Sequence, residues 1–217
     1  MKLKPIDDPK LKIPLFLYLI VHGEFYNAAS SFLRIHKSIS FRCLRSALDC
    51  TFTSYYLIKK PDKIDIYLSK LSEDKESEKE WNKIFLNIKR TIKNDIENFP
   101  LAKGLPEVHE FCSIYSHSDA LGILHRYQED KESSMLLAKY FDYEKNHEDS
   151  QRWLGRILVI FFNIFLLYWQ AVFINRAENN LRNIESKISE FRDRLKIYTE
   201  KYPFDFEIDN NNQKNNG

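Results

Sequence analysis

The sequence has few of the residues that interrupt helices or build specialised sites. Its 217 residues include only five glycines and seven prolines, which argues against many short strands joined by tight turns. Three cysteines without a CxxC pair disfavour a disulfide framework or a zinc site. The chain also has no glycine-rich phosphate loop, GxSxG or HExxH motif, so the common signatures of nucleotide binding, serine hydrolysis and zinc proteolysis are missing.

Net charge is nearly absent as well. The 33 basic and 31 acidic residues leave a formal charge of +2, so no strong overall field points to nucleic acid or to a membrane surface. The three cysteines are interpreted as free thiols, which favours a reducing compartment. An apolar run over residues 13–21 contains Pro14 and is followed by no small-residue cleavage site. The sequence therefore predicts a cytoplasmic protein without a cofactor or metal.

What the sequence does have is one long apolar stretch, Ile157 to Ile174. It carries no charge, and its only polar residues are Asn163 and Gln170. Eighteen helical residues span about 27 Å, slightly less than the roughly 30 Å hydrocarbon thickness of a bilayer. Arg156 lies seven residues before Asn163, so the three polar residues form one narrow edge of the helix. We interpret the stretch as the buried central helix of a bundle, and a membrane span is the alternative.

Apolar residues continue beyond this stretch at spacings of three and four as far as Tyr202. The spacing is that of a heptad seam about four heptads long. It predicts one helix of about 50 residues and about 75 Å between Trp153 and Tyr202. The second half of this helix either pairs with another chain or folds back onto the bundle. The seam consists of Ile174, Ala177, Leu181, Ile184, Ile188, Phe191, Leu195, Tyr198 and Tyr202.

Helical spacing elsewhere completes the predicted architecture. A first helix runs to Leu33 with Pro14 in its first turn, and a second is capped by Ser38 or Ser40 and ends before Pro61. The fold class is all-α, a bundle of five to seven helices with a long C-terminal helix. The predicted divisions are an N-terminal arm (1–9), the bundle (10–174), a helical or coiled-coil extension of the last helix (175–202) and a disordered Asn-rich tail (203–217).

The first candidate site lies on the second helix. Arg45 and Asp49 are four residues apart and Arg42 lies one turn earlier, so the three share one polar stripe. Two guanidinium groups beside a carboxylate suit the binding of a phosphate or a carboxylate. The alternative is an ion pair with a purely structural role.

The second candidate site is the segment from Tyr115 to His125. His117 and Asp119 bring a base and a carboxylate to a helix junction, and His125 follows eight residues after His117. The i, i+4 histidine pair of a helical zinc site is absent, and Asp119 is also a suitable helix N-cap. Asn163 and Gln170 on the apolar helix are further candidate binding residues.

The order of these elements resembles the HEPN-like helical bundles of bacteria and archaea. The resemblance covers about residues 41–174, with FRCLRSALD on one helix, a charged connector, IYSHSDA at the end of another helix and then the apolar helix. It implies a bundle that often dimerises, in a stress or phage-defence setting. Many members of that family cleave RNA with an Arg followed four to six residues later by His. This sequence has no such pair, so that motif is not carried over.

Three functions are predicted from these patterns. The leading one is a non-catalytic binding or accessory protein that self-associates, as a dimer, through its C-terminal helix. The alternative is a metal-independent ribonuclease in which His117 acts as general acid or base on RNA while Arg42 or Arg45 stabilises the phosphorane charge. The third is a membrane-anchored protein that spans the bilayer at residues 157–174.

Overall fold

The computed structural model describes residues 9–34, 36–69, 75–94, 104–116, 127–129, 136–138, 147–173 and 181–203. Within these ranges the chain forms a helical bundle, and the all-α prediction is confirmed. The seven α-helices are α1 (Pro9–Leu33), α2 (Lys37–Lys59), α3 (Ile64–Ser69), α4 (Lys75–Asn94), α5 (Leu105–Ser116), α6 (His147–Tyr168) and α7 (Leu181–Lys201). A 3-10 turn at Pro61–Lys63 precedes α3, and a π-helical turn at Trp169–Phe173 extends α6.

Strand structure is confined to one small hairpin in the described part of the chain. β1 (Tyr127–Glu129) and β2 (Leu136–Ala138) pair antiparallel, with Gln128 opposite Leu137. The hairpin adds six residues of strand to an otherwise helical fold, so the fold class is unchanged.

The helices α1 and α2 form an antiparallel pair at the centre of the bundle. Ser54 near the end of α2 donates a hydrogen bond of 3.1 Å to the Pro14 carbonyl near the start of α1. The predicted apolar face of α2 is confirmed, because all of its members are buried in the core: Phe41, Leu44, Leu48, Phe52 and Tyr55. Trp81 and Ile88 place one face of α4 in the same core.

Two predicted helix starts are wrong. Helix α1 begins at Pro9, five residues earlier than expected, and Pro14 lies inside it. The buried Pro14 ring packs in the core and its carbonyl accepts the Ser54 hydrogen bond, so tertiary packing holds this turn. Helix α2 begins after His36 without a side-chain cap, and Ser40 is instead a buried residue inside the helix.

The long apolar stretch forms most of α6 and packs into the core. Ile157, Ile164 and Leu167 are all below 5% exposed, and Phe161 meets Phe25 of α1 edge to face, with ring centroids 5.0 Å apart. In the described part of the chain, one helical segment, Glu148–Phe173, is both long enough and apolar enough to cross a membrane. Half of its most apolar 18-residue stretch is buried inside the protein. The other half of that stretch is not buried inside the protein.

The prediction of one continuous helix from Trp153 to Tyr202 is wrong. The Tyr198 hydroxyl of α7 donates to the Gln151 carbonyl of α6 at 3.0 Å. The Phe162 and Phe191 rings lie 4.9 Å apart. These contacts require α6 and α7 to run antiparallel, so the seam folds back onto its own chain, which was the second outcome that the sequence left open.

Candidate functional site

The residues of the predicted arginine stripe lie on α2 with unequal exposure. Arg42 is exposed, whereas Arg45 and Asp49 are half-buried. Arg45 Nε lies 3.9 Å from Asp49 Oδ2. An ion pair of this length at a partly solvated position contributes little to stability. The structure therefore brings Arg45 and Asp49 together but leaves Arg42 facing solvent.

Asp49 has a shorter contact to a residue that the sequence analysis missed, His109 of α5. The His109 ring is 3% exposed, and its Nε2 lies 2.7 Å from Asp49 Oδ1. Ser113, one turn further along α5, places its Oγ 3.4 Å from His109 Nδ1. Because a carboxylate oxygen only accepts, the His109 Nε2–H donates the 2.7 Å hydrogen bond to Asp49.

The order serine, histidine and carboxylate resembles a hydrolytic relay, but the geometry is unsuitable for one. The Ser113 hydroxyl donates to the His109 carbonyl at 2.8 Å, so the serine is not activated by the ring. The His109 ring is shielded from solvent, whereas a general base must reach the proton that it removes. His109 and Asp49 therefore join α5 to α2. A signal was present in the sequence, since His109 falls on the apolar face that Leu105, Val108 and Cys112 define.

The remaining predicted site residues are not brought into this cluster by the described structure. His117, Asp119 and His125 lie outside the described residues, so their predicted roles stay predictions. Asn163 is half-buried and Gln170 exposed on α6 and its π-turn. Arg156, at the start of the same polar edge, stacks on the Trp153 ring at 4.4 Å. Within the described ranges no three His, Cys, Asp or Glu side chains lie close enough to hold a metal ion.

A separate apolar cavity of about 430 Å³ lies between α1, α6 and α7. Its wall is almost entirely carbon, with Phe25 from α1, Phe161 and Phe165 from α6, and Ile184 and Ile188 from α7. The two nitrogen-bearing side chains that line it are His22 and Lys187, and both are exposed. Ile184 and Ile188 of the α7 seam thus face this cavity.

The outer face of α1 is a second apolar feature. Four large side chains on it are at least 60% exposed: Phe16, Leu19, Tyr26 and Leu33. Together with Gly23 and Ser30, which are also exposed, they follow the spacing three, four, three, four, three. That is the spacing of the a and d positions of a heptad. In the part of the chain that the structure describes, no other helix covers this heptad-spaced face, whereas the opposite side of α1 is in the core.

The comparisons with known proteins add no relative: no family model, no curated protein and no solved structure matches this chain. The function is therefore inferred from the geometry of the described residues.

Proposed function

We propose that the protein is a non-catalytic helical-bundle binding protein that works as a homodimer, with the outer faces of two α1 helices packed together. The observation that carries the proposal is the exposed seam on α1. Scattered exposed apolar side chains are ordinary on a protein surface, but a contiguous stripe is typical of an interaction site. A stripe with heptad spacing is complementary to another helix of the same kind.

The area of the stripe is sufficient for a modest dimer. Phe and Tyr side chains bury about 150–250 Å² each, and Ile20 adds a fifth half-exposed apolar side chain to the face. At the observed exposures the five side chains offer on the order of 500 Å² per copy, or about 1,000 Å² for two copies, where specific interfaces begin. We expect a dimer of modest affinity that dissociates reversibly.

Gly23 supports a second copy of α1 as the occupant. It lies near the middle of a 25-residue helix, where glycine costs about 1 kcal/mol relative to alanine. A Cβ at this position would meet nothing within 4 Å, so packing inside the chain does not require glycine. A missing side chain lets two backbones approach closely, and a two-fold axis near Gly23 would pair Leu19 of each antiparallel copy with Tyr26 of the other.

The C-terminal helix offers less surface for this role than the sequence analysis assumed. Ile184 and Ile188 of its seam face the cavity and Leu195 is buried against the chain. Ile197 is a large exposed side chain of α7 that lies outside the seam. We therefore keep the proposal of self-association and place it on α1.

The test is the molar mass of the full-length protein by light scattering over a hundredfold range of concentration. We expect a shift from the 26.0 kDa chain toward twice that mass. Leu19→Glu should abolish the shift, because it places a charge in the centre of the seam. Leu86→Glu on α4 is the matched control, since Leu86 is also strongly exposed but lies outside the seam.

Two further variants make the assignment falsifiable. Gly23→Ala should raise the free energy of unfolding by about 0.5–1 kcal/mol, while Gly23→Leu should weaken the dimer at least tenfold, because its side chain occupies the proposed crossing point. A wild-type protein that stays monomeric at the highest concentration overturns the proposal. So does a dimer that survives Leu19→Glu and is lost in Ile197→Glu.

A further inference from the structure

We infer that the cavity between α1, α6 and α7 is a binding site for a single-chain amphipathic carboxylate of the fatty-acid class. The alkyl chain would lie among the phenylalanine and isoleucine side chains, and the carboxylate would lie at the mouth beside Lys187. The inference does not depend on the homodimer, because Phe16 and Leu19 do not line the cavity, although Tyr26 of the α1 seam contacts the rings of His22 and Phe25 at its edge.

The size and lining of the cavity suit an alkyl chain. Ligand sites commonly have volumes of about 300–1,000 Å³ and mostly apolar walls, and this cavity has about 430 Å³. That is roughly three times the volume of a cavity of about 150 Å³ that holds benzene, enough for on the order of fifteen carbon atoms. Five phenylalanines line it and offer broad contact to a methylene chain: Phe25, Phe161, Phe162, Phe165 and Phe191.

The two polar side chains at the cavity define the sign of the head group. Lys187 projects from α7 and His22 from α1, so they approach the cavity from two different walls. Among the described residues, no carboxylate lines the cavity. An ammonium group and an imidazole N–H both bind carboxylate oxygens. The apolar interior and cationic rim together favour an anionic amphiphile over a neutral one.

The attachment of α7 provides a route into the site. Leu195 and Tyr198 hold the C-terminal half of α7 to α6, whereas the N-terminal half carries Ile184, Lys187 and Ile188 over the cavity. Phe191, which is 42% exposed, lies between these two parts and also lines the cavity. Because the cavity is open to solvent on one side, the alkyl chain of the ligand can enter it with the Tyr198 contact intact.

The experiment titrates the full-length protein with cis-parinarate, a fatty acid whose fluorescence rises in an apolar site, and displaces it with oleate. We expect saturable binding of one probe per chain and competition by oleate. Oleyl alcohol has the same carbon chain without the carboxylate, and it should compete at least tenfold more weakly than oleate.

Substitutions inside and outside the cavity test whether the probe binds there. Lys187→Glu should weaken probe binding at least tenfold, whereas Lys196→Glu, another exposed α7 lysine away from the cavity, should leave it within twofold. Leu158 of α6 also lines the cavity. Leu158→Trp should abolish binding by filling the cavity, with unchanged circular dichroism as the control for folding. Leu19→Glu should bind the probe normally, so failure of the homodimer proposal is distinguishable from failure of this one.

Three results would overturn the inference. One is the absence of saturable binding. Another is equal competition by oleate and oleyl alcohol together with unchanged affinity in Lys187→Glu, because the head group would then not be recognised. The third is co-sedimentation of the protein with phosphatidylcholine vesicles that contain no fatty acid, accompanied by no binding of monomeric probe, since a bilayer would then be the true apolar partner.

Discussion

A buried hydrogen bond between α2 and α5 determines how these two helices pack together. His109 donates to Asp49 across the interface at 2.7 Å, and its ring lies 5.7 Å from that of Phe52. The hydrogen bond fixes the rotation of α5 relative to α2 because a buried donor without a partner costs about 1–3 kcal/mol. The same contact engages the Asp49 carboxylate. Arg42 is the exposed side chain of the predicted arginine stripe.

We predict that His109→Ala lowers the free energy of unfolding by about 2–3 kcal/mol, because it removes a buried ring and the 2.7 Å hydrogen bond that Asp49 accepts. Asp49→Asn keeps the shape and should cost less, about 1 kcal/mol. Urea unfolding followed by circular dichroism measures both values. The double variant should cost less than the sum of the two single ones, as expected for residues in contact.

Arg42→Ala is the control for this pair. Arg42 lies on the same helix but is exposed, so its loss should change stability by less than about 0.5 kcal/mol. Equal effects of Arg42→Ala and His109→Ala would show that the His109–Asp49 contact does not stabilise the interface between α2 and α5.

At the scale of elements, α7 is held in place by a small set of contacts. It is attached through the Phe191–Phe162 ring contact, the buried Leu195 and the Tyr198 hydrogen bond. Small docked elements of this kind open with a lower free energy than the core of a protein. The bundle formed by α1, α2 and α6 should therefore persist while α7 opens and closes.

Leu195→Ala should loosen α7 selectively. Loss of a buried leucine side chain commonly costs about 2 kcal/mol or more, and we expect amide hydrogen exchange across residues 181–201 to accelerate at least tenfold. Exchange in α1 and α2 should change little. Ile197→Ala, an exposed position on the same helix, should leave the exchange of α7 unaltered.

A uniform acceleration of exchange across α1, α2 and α7 in Leu195→Ala would contradict this picture. It would show that α7 unfolds together with the core as one cooperative unit. Mass spectrometry of peptic fragments gives the resolution that this comparison requires.

The elements were predicted with different success for physical reasons. The buried face of α2 from Phe41 to Tyr55 could be predicted because its five apolar residues repeat at helical spacing with polar residues between them. The reversal between α6 and α7 could not be predicted from the sequence. A heptad seam is compatible both with one continuous straight helix and with a second helix that packs antiparallel against the first. Contacts such as that of Tyr198 with Gln151 distinguish the two.

The candidate sites show the same limit. His109 has its partner sixty residues away, and its own neighbourhood in the sequence is that of an ordinary helix. Helix α1 has apolar residues on every side, so periodicity could not separate the face of Val21 and Ala28, which is buried, from the face of Leu19 and Tyr26, which is exposed. The contact of His109 and the buried face of α1 both depend on packing partners that are distant in the sequence, and a local sequence pattern does not identify those partners.

For the molecule as a whole, the two proposals divide the apolar surface of α1 between a second chain and a ligand. A helix that is apolar all round normally lies at the centre of a large core. Here α2 and α6 cover one side of α1, and the stripe from Phe16 to Leu33 and the cavity near Phe25 remain. Association with another chain and occupation of the cavity would each remove apolar area from water, so both should stabilise the fold by mass action.

The stability of the whole molecule should also fall at alkaline pH. Burial raises the pKa of the Cys112 thiol to about 12, against a smaller lowering by Arg45. Burial, aided by the Glu24 carboxylate, raises the pKa of Cys43 to about 11, and burial, aided by Asp49 and then Glu24, raises the pKa of Cys50 to about 11. The unfolded chain releases these protons near pH 9, so the stabilisation is fully present below pH 9 and is lost as the pH rises through 11 and 12.

We therefore predict that the free energy of unfolding, measured with urea under reducing conditions, is nearly constant from about pH 7 to about pH 8.5 and declines above about pH 9. Cys112 alone should contribute a slope of up to about 1.4 kcal/mol per pH unit. Cys112→Ala should be less stable at neutral pH, because it leaves a small void, yet decline less steeply at alkaline pH. An identical alkaline slope in Cys112→Ala and the wild-type protein would show that other groups, such as the buried Tyr168, carry the alkaline loss of stability.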